Sequence, residues 1–285
     1  MTVIGLHTTA AQANVKDEAI VTSIVEGVGT LADLGDFEAL QDLYAHEVLL
    51  DYSSLNGQEA TLISSQVLMT QWASVLPGFD ATKHNVSNID VQFDRDLANV
   101  TANVVADHYV NDLFWQVSGK YRYQLAKQNG QWEIVKHTFI LKDEKGTRDV
   151  FGQAISKAGE SPNRYLVRQQ TLAVAKQFLA SLKEADYATL KTSLSTAVVL
   201  DIPNSGVRID EASAVIEYLK QFKVSANNDF AEVTYPLKDA NMVLAQWQLA
   251  TDADAAPNIY AGLFHVEQGK ITLLRLLNRD TGTQN

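Results

Sequence analysis

Asp36-Phe37-Glu38-Ala39-Leu40 opens a segment that closes on Val48-Leu49-Leu50-Asp51, and the pattern returns as Asp186-Tyr187-Ala188-Thr189-Leu190 closing on Val198-Val199-Leu200-Asp201. The interval from Asp36 to Asp186 equals that from Asp51 to Asp201, so the two stretches align without a gap. Further on, Gly130-Gln131-Trp132-Glu133-Ile134 is answered by Gly269-Lys270-Ile271-Thr272-Leu273 at a slightly shorter interval, as trimmed loops in a second copy would give. The chain therefore reads as one domain written twice. Only the first copy keeps a set of proton-handling side chains, which predicts one working pocket and one partner kept for architecture.

Around the first segment, apolar Ile20, Ile24, Val28 and Leu31 recur at steps of three and four and predict a helix from about Val15 to Leu34. Gly35 ends it, and Asp36 is suited to cap a short helix, Phe37–Ala45, that leads into a strand near Val48–Tyr52. Asn56-Gly57 marks a turn, and a further helix is read from roughly Glu59 to Leu76, stopped by Pro77-Gly78. The period then changes to two. Ser87–Phe93, Val100–Val110, Trp115–Lys127 and Trp132–Lys142 read as strands, with turns at Asp94-Arg95-Asp96 and Asn129-Gly130. Helices followed by a run of long antiparallel strands predict an α+β fold with the helices on one face of a strongly curved sheet.

The second copy repeats that order. A helix covers Arg164–Glu184, a short helix follows Asp186, and a strand lies at Ala197–Ile202. A helix at Glu211–Phe222 then precedes strands at Asp229–Pro236, Met242–Thr251, Ile259–Glu267 and Ile271–Asn278. The expected organisation is a disordered tail over 1–14, a domain over 15–143, a linker with one short helix over 144–163, and a degenerate second domain over 164–281.

Composition sets the outer limits. A chain of 285 residues, 46% hydrophobic and 20% charged, can build two ordinary cores. A formal charge of −11 with no visible basic patch argues against nucleic acid and anionic membrane surfaces as partners. Cysteine is absent, which excludes disulfides, thiolate nucleophiles and zinc–thiolate sites and leaves the compartment open. Ala11-Gln12-Ala13 has a small-x-small form, yet no basic leader precedes it and His7 interrupts the apolar stretch. The reading is a cytoplasmic protein, periplasmic or secreted if an upstream signal was trimmed. No Gly-x-Ser-x-Gly elbow, phosphate-binding glycine loop or His-Glu-x-x-His helix is present, so nucleophilic and phosphoryl-transfer classes are set aside.

Three features together resemble a known family: a long helix ending Asp33-Leu34-Gly35-Asp36-Phe37, the segment Lys83-His84-Asn85-Val86-Ser87-Asn88 opening the sheet, and the hairpin Asn129-Gly130-Gln131-Trp132-Glu133-Ile134 closing it. The chain is similar to the SnoaL-like branch of the nuclear-transport-factor-2-like superfamily, which holds polyketide cyclases, scytalone dehydratase and ketosteroid isomerase. The likeness spans about residues 15–142 well and 164–280 less closely. It implies two tandem cone-shaped domains (a cystatin-like α+β roll), each a bent sheet wrapping a long helix around an apolar pocket. It also implies a site in which Asp33 pairs with His84 to move a proton, with His108 or its neighbour Asp107 completing the set. Val28 stands near the place where catalytic relatives carry a tyrosine that donates to a substrate carbonyl.

The residues support that site independently. Asp33 lies in the last turn of its helix, where the negative end of the dipole is expected to raise its pKa towards that of a general base. An imidazole such as that of His84 suits giving and taking protons, and strand alternation puts His108 on the apolar face. Trp72, Tyr121 and Tyr123 are candidates, with Val28, to line a pocket for a flat or hydrophobic ligand; core packing is the competing reading of such aromatics. Two histidines and a carboxylate also suit a mononuclear iron site, but His84, His108 and Asp33 share no local ligand motif, so no metal and no cofactor are expected. In the second copy Lys183 replaces Asp33, Val224-Ser225-Ala226-Asn227 replaces the His84 segment, and Leu249 or Ala250 faces the place of His108. Its interior is expected to be filled by Trp247, Leu244, Phe264 and Leu274.

The functional expectation is cofactor-free dehydration, isomerisation or cyclisation of a small hydrophobic or aromatic molecule. Asp33 and His84 act as base and acid, and His108 orients. The rival is a non-catalytic ligand-binding or assembly module, including a structural subunit like the small chain of aromatic-ring dioxygenases. The two copies are expected to pair as a pseudo-dimer within the chain, or the chain to form a homodimer.

Overall fold

The computed structural model describes residues 6–220, 233–249 and 258–278, which fall into two compact units divided between Tyr165 and Leu166. In the first, helix α1 (Leu6–Leu34) and the short α2 (Phe37–Gln41) lead into strand β1 (Tyr44–Asp51). The turn of helix α3 (Ser53–Asn56), strand β2 (Thr61–Ser64) and helix α4 (Ser65–Ala73) follow. Four long strands, β3 (Ala81–Asp94), β4 (Leu97–Val110), β5 (Leu113–Gln128) and β6 (Gln131–Gly146), precede helix α5 (Val150–Glu160). The sheet order is β2-β1-β6-β5-β4-β3. All neighbours are antiparallel except β1 and β6, which run parallel, so the sheet is mixed rather than wholly antiparallel.

The helix α1 starts at Leu6, inside the stretch expected to be a disordered tail; residues 1–5 lie outside the described residues. Ala10, Gln12 and Ala13 are good helix formers, which the reading of that stretch as a tail overlooked. The buried stripe is Val21, Val25, Val28 and Ala32, one residue on from the expected Ile20–Ile24 face, and Ile20 is exposed. Gly35 ends the helix at φ +66°, with its own N–H bonded to the Ala32 carbonyl and the Asp36 N–H bonded to Leu31. That pair of bonds is a Schellman stop, whose left-handed residue is unstrained when it is glycine.

The expected helix over Glu59–Leu76 is a strand followed by a shorter helix. Thr61-Leu62-Ile63 pairs with β1, and the Ser64 hydroxyl then accepts from the Val67 N–H to start α4. The short helix after Asp36 ends at Gln41 rather than Ala45, because Tyr44 and Ala45 already belong to β1. The four predicted long strands are all present and longer than expected. Along β4, Ala98, Val100, Ala102, Val104, Ala106, His108 and Val110 point inward, and α1 packs across this side of the sheet. Asn129 and Gly130, both at positive φ, make the tight turn between β5 and β6.

Residues 144–163 are not a plain linker. The helix α5 lies against the first unit: the Ala154 carbonyl sits directly over Gly78, where no Cβ would fit, and Lys157 pairs with Asp80. Phe151 meets Phe79 and Trp115, with ring centroids 5.9 and 4.9 Å apart. A short helix was expected in this stretch, but Gly152, Gly159 and the surrounding charges gave no sign that it packs on the first unit.

The second unit runs helix α6 (Arg164–Lys183), α7 (Tyr187–Ser193), strands β7 (Leu194–Ile202) and β8 (Val207–Asp210), and helix α8 (Ala212–Leu219). Strands β9 (Val233–Pro236), β10 (Met242–Leu249), β11 (Asn258–Glu267) and β12 (Lys270–Asn278) follow. Residues 229–232 and 250–251, expected to extend β9 and β10, lie outside the described residues. The sheet order is β8-β7-β12-β11-β10-β9, again with one parallel pair, β7 with β12. The helix stop recurs as well, with Ala185 N–H bonded to Leu182, Asp186 N–H to Ser181, and the Asp186 carboxylate capping Thr189 as Asp36 caps Ala39. Among the described residues no helix is long and apolar enough to cross a membrane.

One difference between the two stops is testable. Ala185 occupies the left-handed position at φ +55° that Gly35 fills in the first unit. Ala185→Gly is expected to raise, and Gly35→Ala to lower, the unfolding free energy by about 1 kcal/mol each. Urea titration of the two variants measures both signs, and equal signs would contradict the assignment.

Candidate functional site

Asp33 is the last-turn carboxylate of α1, and β3 begins beside it. The backbone N–H of His84 donates to Asp33 Oδ2 at 2.7 Å and the Thr82 hydroxyl donates to Oδ1 at 2.7 Å. The third bond joins His84 Nδ1 to Oδ1 at 2.6 Å, with the imidazole and carboxylate side chains 12% and 21% exposed. Gly29, one turn earlier on α1, allows this approach, since a Cβ there would stand 2.8 Å from the His84 Cβ. The two residues singled out in the sequence are therefore in direct contact.

Their electrostatics differ from the expectation. Burial pushes the Asp33 carboxyl up, but the bonds from the His84 ring, the His84 N–H and Thr82 outweigh it, and the net shift is downward. Asp33 is thus an anion clamped by three donors rather than a carboxylate tuned towards neutrality. A fixed anion on Nδ1 places the ring proton there and leaves Nε2 as the basic nitrogen.

The ring of His84 forms part of the wall of a cavity of about 820 Å³ in the first unit, within the size range of small-molecule sites. The wall is mostly apolar. Val28, Gly29 and Ala32 of α1 form one side, Trp72, Val75 and Leu76 the next, and Phe151 and Ile155 of α5 lie over them. Val28, Trp72 and Tyr121 line the cavity. Tyr123 is not among the lining residues: it is buried, its ring tilted against His137 with centroids 4.4 Å apart.

The ring of His108 also lines the cavity and is 5% exposed, edge-on to His84 at 5.7 Å and packed on Trp115 at 4.9 Å. Burial first, and the neighbouring His84 second, hold its pKa down to about 4. Among the described residues its buried Nδ1 has no hydrogen-bond partner, and the lowered pKa keeps the ring neutral near pH 7. Asp107 points to the other face and accepts from Gln116. Among the described residues no group of three or more His, Asp or Glu side chains is arranged to hold a metal ion.

The cavity floor holds a group that the sequence did not reveal. His137, fully buried, contacts the Tyr44 hydroxyl through Nδ1 at 3.0 Å and the Tyr52 hydroxyl through Nε2 at 3.4 Å. Burial, reinforced by His84, lowers its pKa to about 3. The alternation that His137 shares with Phe139, past the irregularity between Ile134 and Lys136, was the available signal.

In the second unit the places of His137, Tyr123 and Tyr121 carry no polar side chain. Strand pairing sets Leu50 against His137 and Leu200 against Leu274, so Leu274 stands where His137 does. The same register places Phe264 at Tyr123 and Gly262 at Tyr121, and pairs Ile271 rather than Leu273 with the place of Ile134. The Trp247 ring lies on Gly262, and Phe178 occupies the place of Val28. Trp247, Phe264 and Leu274 are buried as expected, whereas Leu244 is only partly so. Residues 224–227 lie outside the described residues. So does the register partner of His108, which falls beyond Leu249, on Thr251.

Residues 13–138 match the family model described as a SnoaL-like domain. No curated protein sequence matches the chain. Among solved structures, the Kfla4162 protein of Kribbella flavida is 19% identical, over 46% of this chain and 93% of its own, with a TM-score of 0.43. The hexachlorocyclohexane dehydrochlorinase LinA-type3 of Novosphingobium barchaimii is 12% identical, over 47% and 92%, with a TM-score of 0.42. Rv3472 of Mycobacterium tuberculosis is 14% identical, over 52% and 97%, also at 0.42.

The depressed histidines make an acid limb of stability. A folded-state pKa below the unfolded 6.5 means the unfolded chain binds more protons, so stability is intact above pH 6.5 and lost as pH falls towards about 4 for His108 and about 3 for His137. Between pH 6 and 4.5, unfolding free energies from urea titrations are expected to fall as pH falls. His137→Leu should remove roughly one proton from that slope. An unchanged slope would show that His137 is not held neutral.

Proposed function

We propose that the first unit, a SnoaL-like domain, binds a small, flat, largely apolar molecule and moves a proton on it without a cofactor. The observation that carries this is the 2.6 Å bond from Asp33 Oδ1 to His84 Nδ1 at the wall of an apolar cavity. The roles differ from those first expected. His84 Nε2 is the base, taking a proton from a substrate carbon, while Asp33 holds the ring orientation and stabilises the imidazolium that forms. In a dehydration the carbon–oxygen bond breaks as the carbon–hydrogen bond does. His84 then returns its proton to the departing hydroxide, which leaves as water. In an isomerisation the proton goes back to a different carbon.

His108, neutral and on the cavity wall, orients the substrate or the His84 ring. The apolar wall excludes water, which strengthens the charge–charge contact between Asp33 and the imidazolium. The shared strand order, helix stop and register support reading the second unit as a duplicate whose interior has been filled and which serves architecture.

The test is a turnover screen of β-hydroxy ketones and hydroxylated aromatics, followed by ultraviolet absorbance of the conjugated product. His84→Gln is expected to abolish turnover, and Asp33→Asn to lower kcat by about 10²-fold or more. Both variants should unfold at temperatures near that of the wild type. Wild-type rates in both, or ligand binding with no turnover by any variant, would favour the non-catalytic binding module instead.

A further inference from the structure

Of the residues lining the cavity, Asn56, Gln58, Gln71 and Ile155 are exposed, so its mouth is framed by the turn of α3, by α4 and by α5. These three sides are held differently. Leu68, Met69 and Ala73 sink α4 into the core, and Val150, Ala154 and Ala158 do the same for α5. Helix α3 buries no residue. Two polar attachments hold it instead. Past Asp51, where β1 ends its pairing with β6, the Ser54 hydroxyl donates to the Phe139 carbonyl at 2.7 Å and accepts from the Leu141 N–H at 2.9 Å. Beside it, Arg148 donates through Nη2 to the Leu55 carbonyl at 3.0 Å. Arg148 is itself anchored, with Nε and Nη2 on the Glu144 carboxylate at 2.8 and 2.6 Å. The carboxylate oxygen that takes Nε also accepts from the Trp115 indole at 2.8 Å, and Trp115 is a buried part of the cavity wall. One guanidinium therefore ties the inner wall to the side of the mouth that packing does not fix, a task suited to its rigid fork of donors.

We propose that Arg148 is a positioning residue that governs passage through this mouth: its bond to the Leu55 carbonyl keeps the α3 turn closed, and a ligand enters or leaves when that bond parts. The Glu144 and Trp115 side stays in place meanwhile, held by the bidentate pair and by burial. Gly57 ends the turn at φ +73°, with open space where a Cβ would stand, and absorbs the backbone change. A segment with no buried residue and few attachments is the one expected to open at least cost. The inference rests on the cavity being the ligand site. Arg148 does not line that cavity, so its bond to Leu55 is the same whether the site is empty or filled. Losing the bond then lowers the barrier in both directions and leaves affinity nearly unchanged. A residue that only supported the shape of the wall would behave otherwise, because loss of a binding contact appears mainly as faster dissociation.

The probe is 6-propionyl-2-dimethylaminonaphthalene, a flat, uncharged molecule whose emission moves to shorter wavelength in an apolar site. Stopped-flow mixing with the full chain gives its association and dissociation rates, and equilibrium titration gives its affinity. Arg148→Ala is expected to raise both rates by about tenfold while Kd changes by less than about threefold. Arg148→Lys, which keeps the charge without the fork, should raise both rates in the same way, and it guards against a folding defect in the alanine variant. Ser54→Ala, which removes the other attachment of the turn, should act in the same direction. Lys157→Ala frees α5 from Asp80 and leaves α3 untouched, so its rates should match the wild type. Unchanged rates in both Arg148 variants, or a loss of affinity as large as the gain in dissociation rate, would overturn the proposal. So would Lys157→Ala acting as strongly as Arg148→Ala, or failure of the wild type to bind the probe. No turnover is measured, so the result stands apart from whether His84 moves a proton.

Discussion

The bond between the Asp33 carboxylate and the His84 imidazole ties the end of the longest helix to the first long strand of the sheet. It depends on two backbone facts. The Schellman stop at Gly35 ends α1 where Asp33 can turn towards β3, and Gly29 lets the helix lie close enough for the ring to reach. Three donors converge on one carboxylate, and their combined pull outweighs the cost of burying it. The remaining cavity is assembled around that fixed ring. The wall from α1 and α4, the cover from α5 and the tyrosine–histidine floor all address the space that His84 Nε2 faces.

The two units show how a single framework supports opposite interiors. Their strand orders, helix stops and capping carboxylates coincide, and the differences fall on inward positions. Small or polar residues at Val28, Tyr121 and His137 leave a hollow with hydrogen-bonding groups on its wall. Phe178, Trp247, Phe264 and Leu274 turn the matching space into solid core. Filling with close-packed hydrocarbon favours stability over function, since a hollow forfeits contacts that a core would make.

The fold was legible in the sequence wherever a period persisted. The alternation along Val100–Val110 and Trp115–Lys127, the Asn129-Gly130 turn and the Asp36 and Asp186 caps located the elements that carry most of each sheet. Failures came where a local signal was short or contradicted by packing. Thr61-Leu62-Ile63 was absorbed into a helix because four residues hold too little of either period. The stretch holding α5 was read as a linker with a short helix because its glycines conceal a packed face that only Gly78 and Phe79 explain. The parallel pairing of β1 with β6 is a long-range choice that no local pattern encodes. At the cavity, the contact between Asp33 and His84 was anticipated, but the sign of the Asp33 shift was not, because the helix dipole is visible in sequence and three converging donors are not. His137 went unassigned for a similar reason: a lone histidine on a strand says nothing of tyrosines brought to it from β1 and the turn after it.

The most direct measurement is the nitrogen and proton NMR spectrum of the His84 imidazole in the full chain near neutral pH. The structure requires a strongly downfield proton on Nδ1 and an unprotonated Nε2, and that proton signal should disappear or move sharply in Asp33→Asn. A proton on Nε2, or an Nδ1 proton indifferent to loss of the Asp33 charge, would contradict a base held ready by its carboxylate.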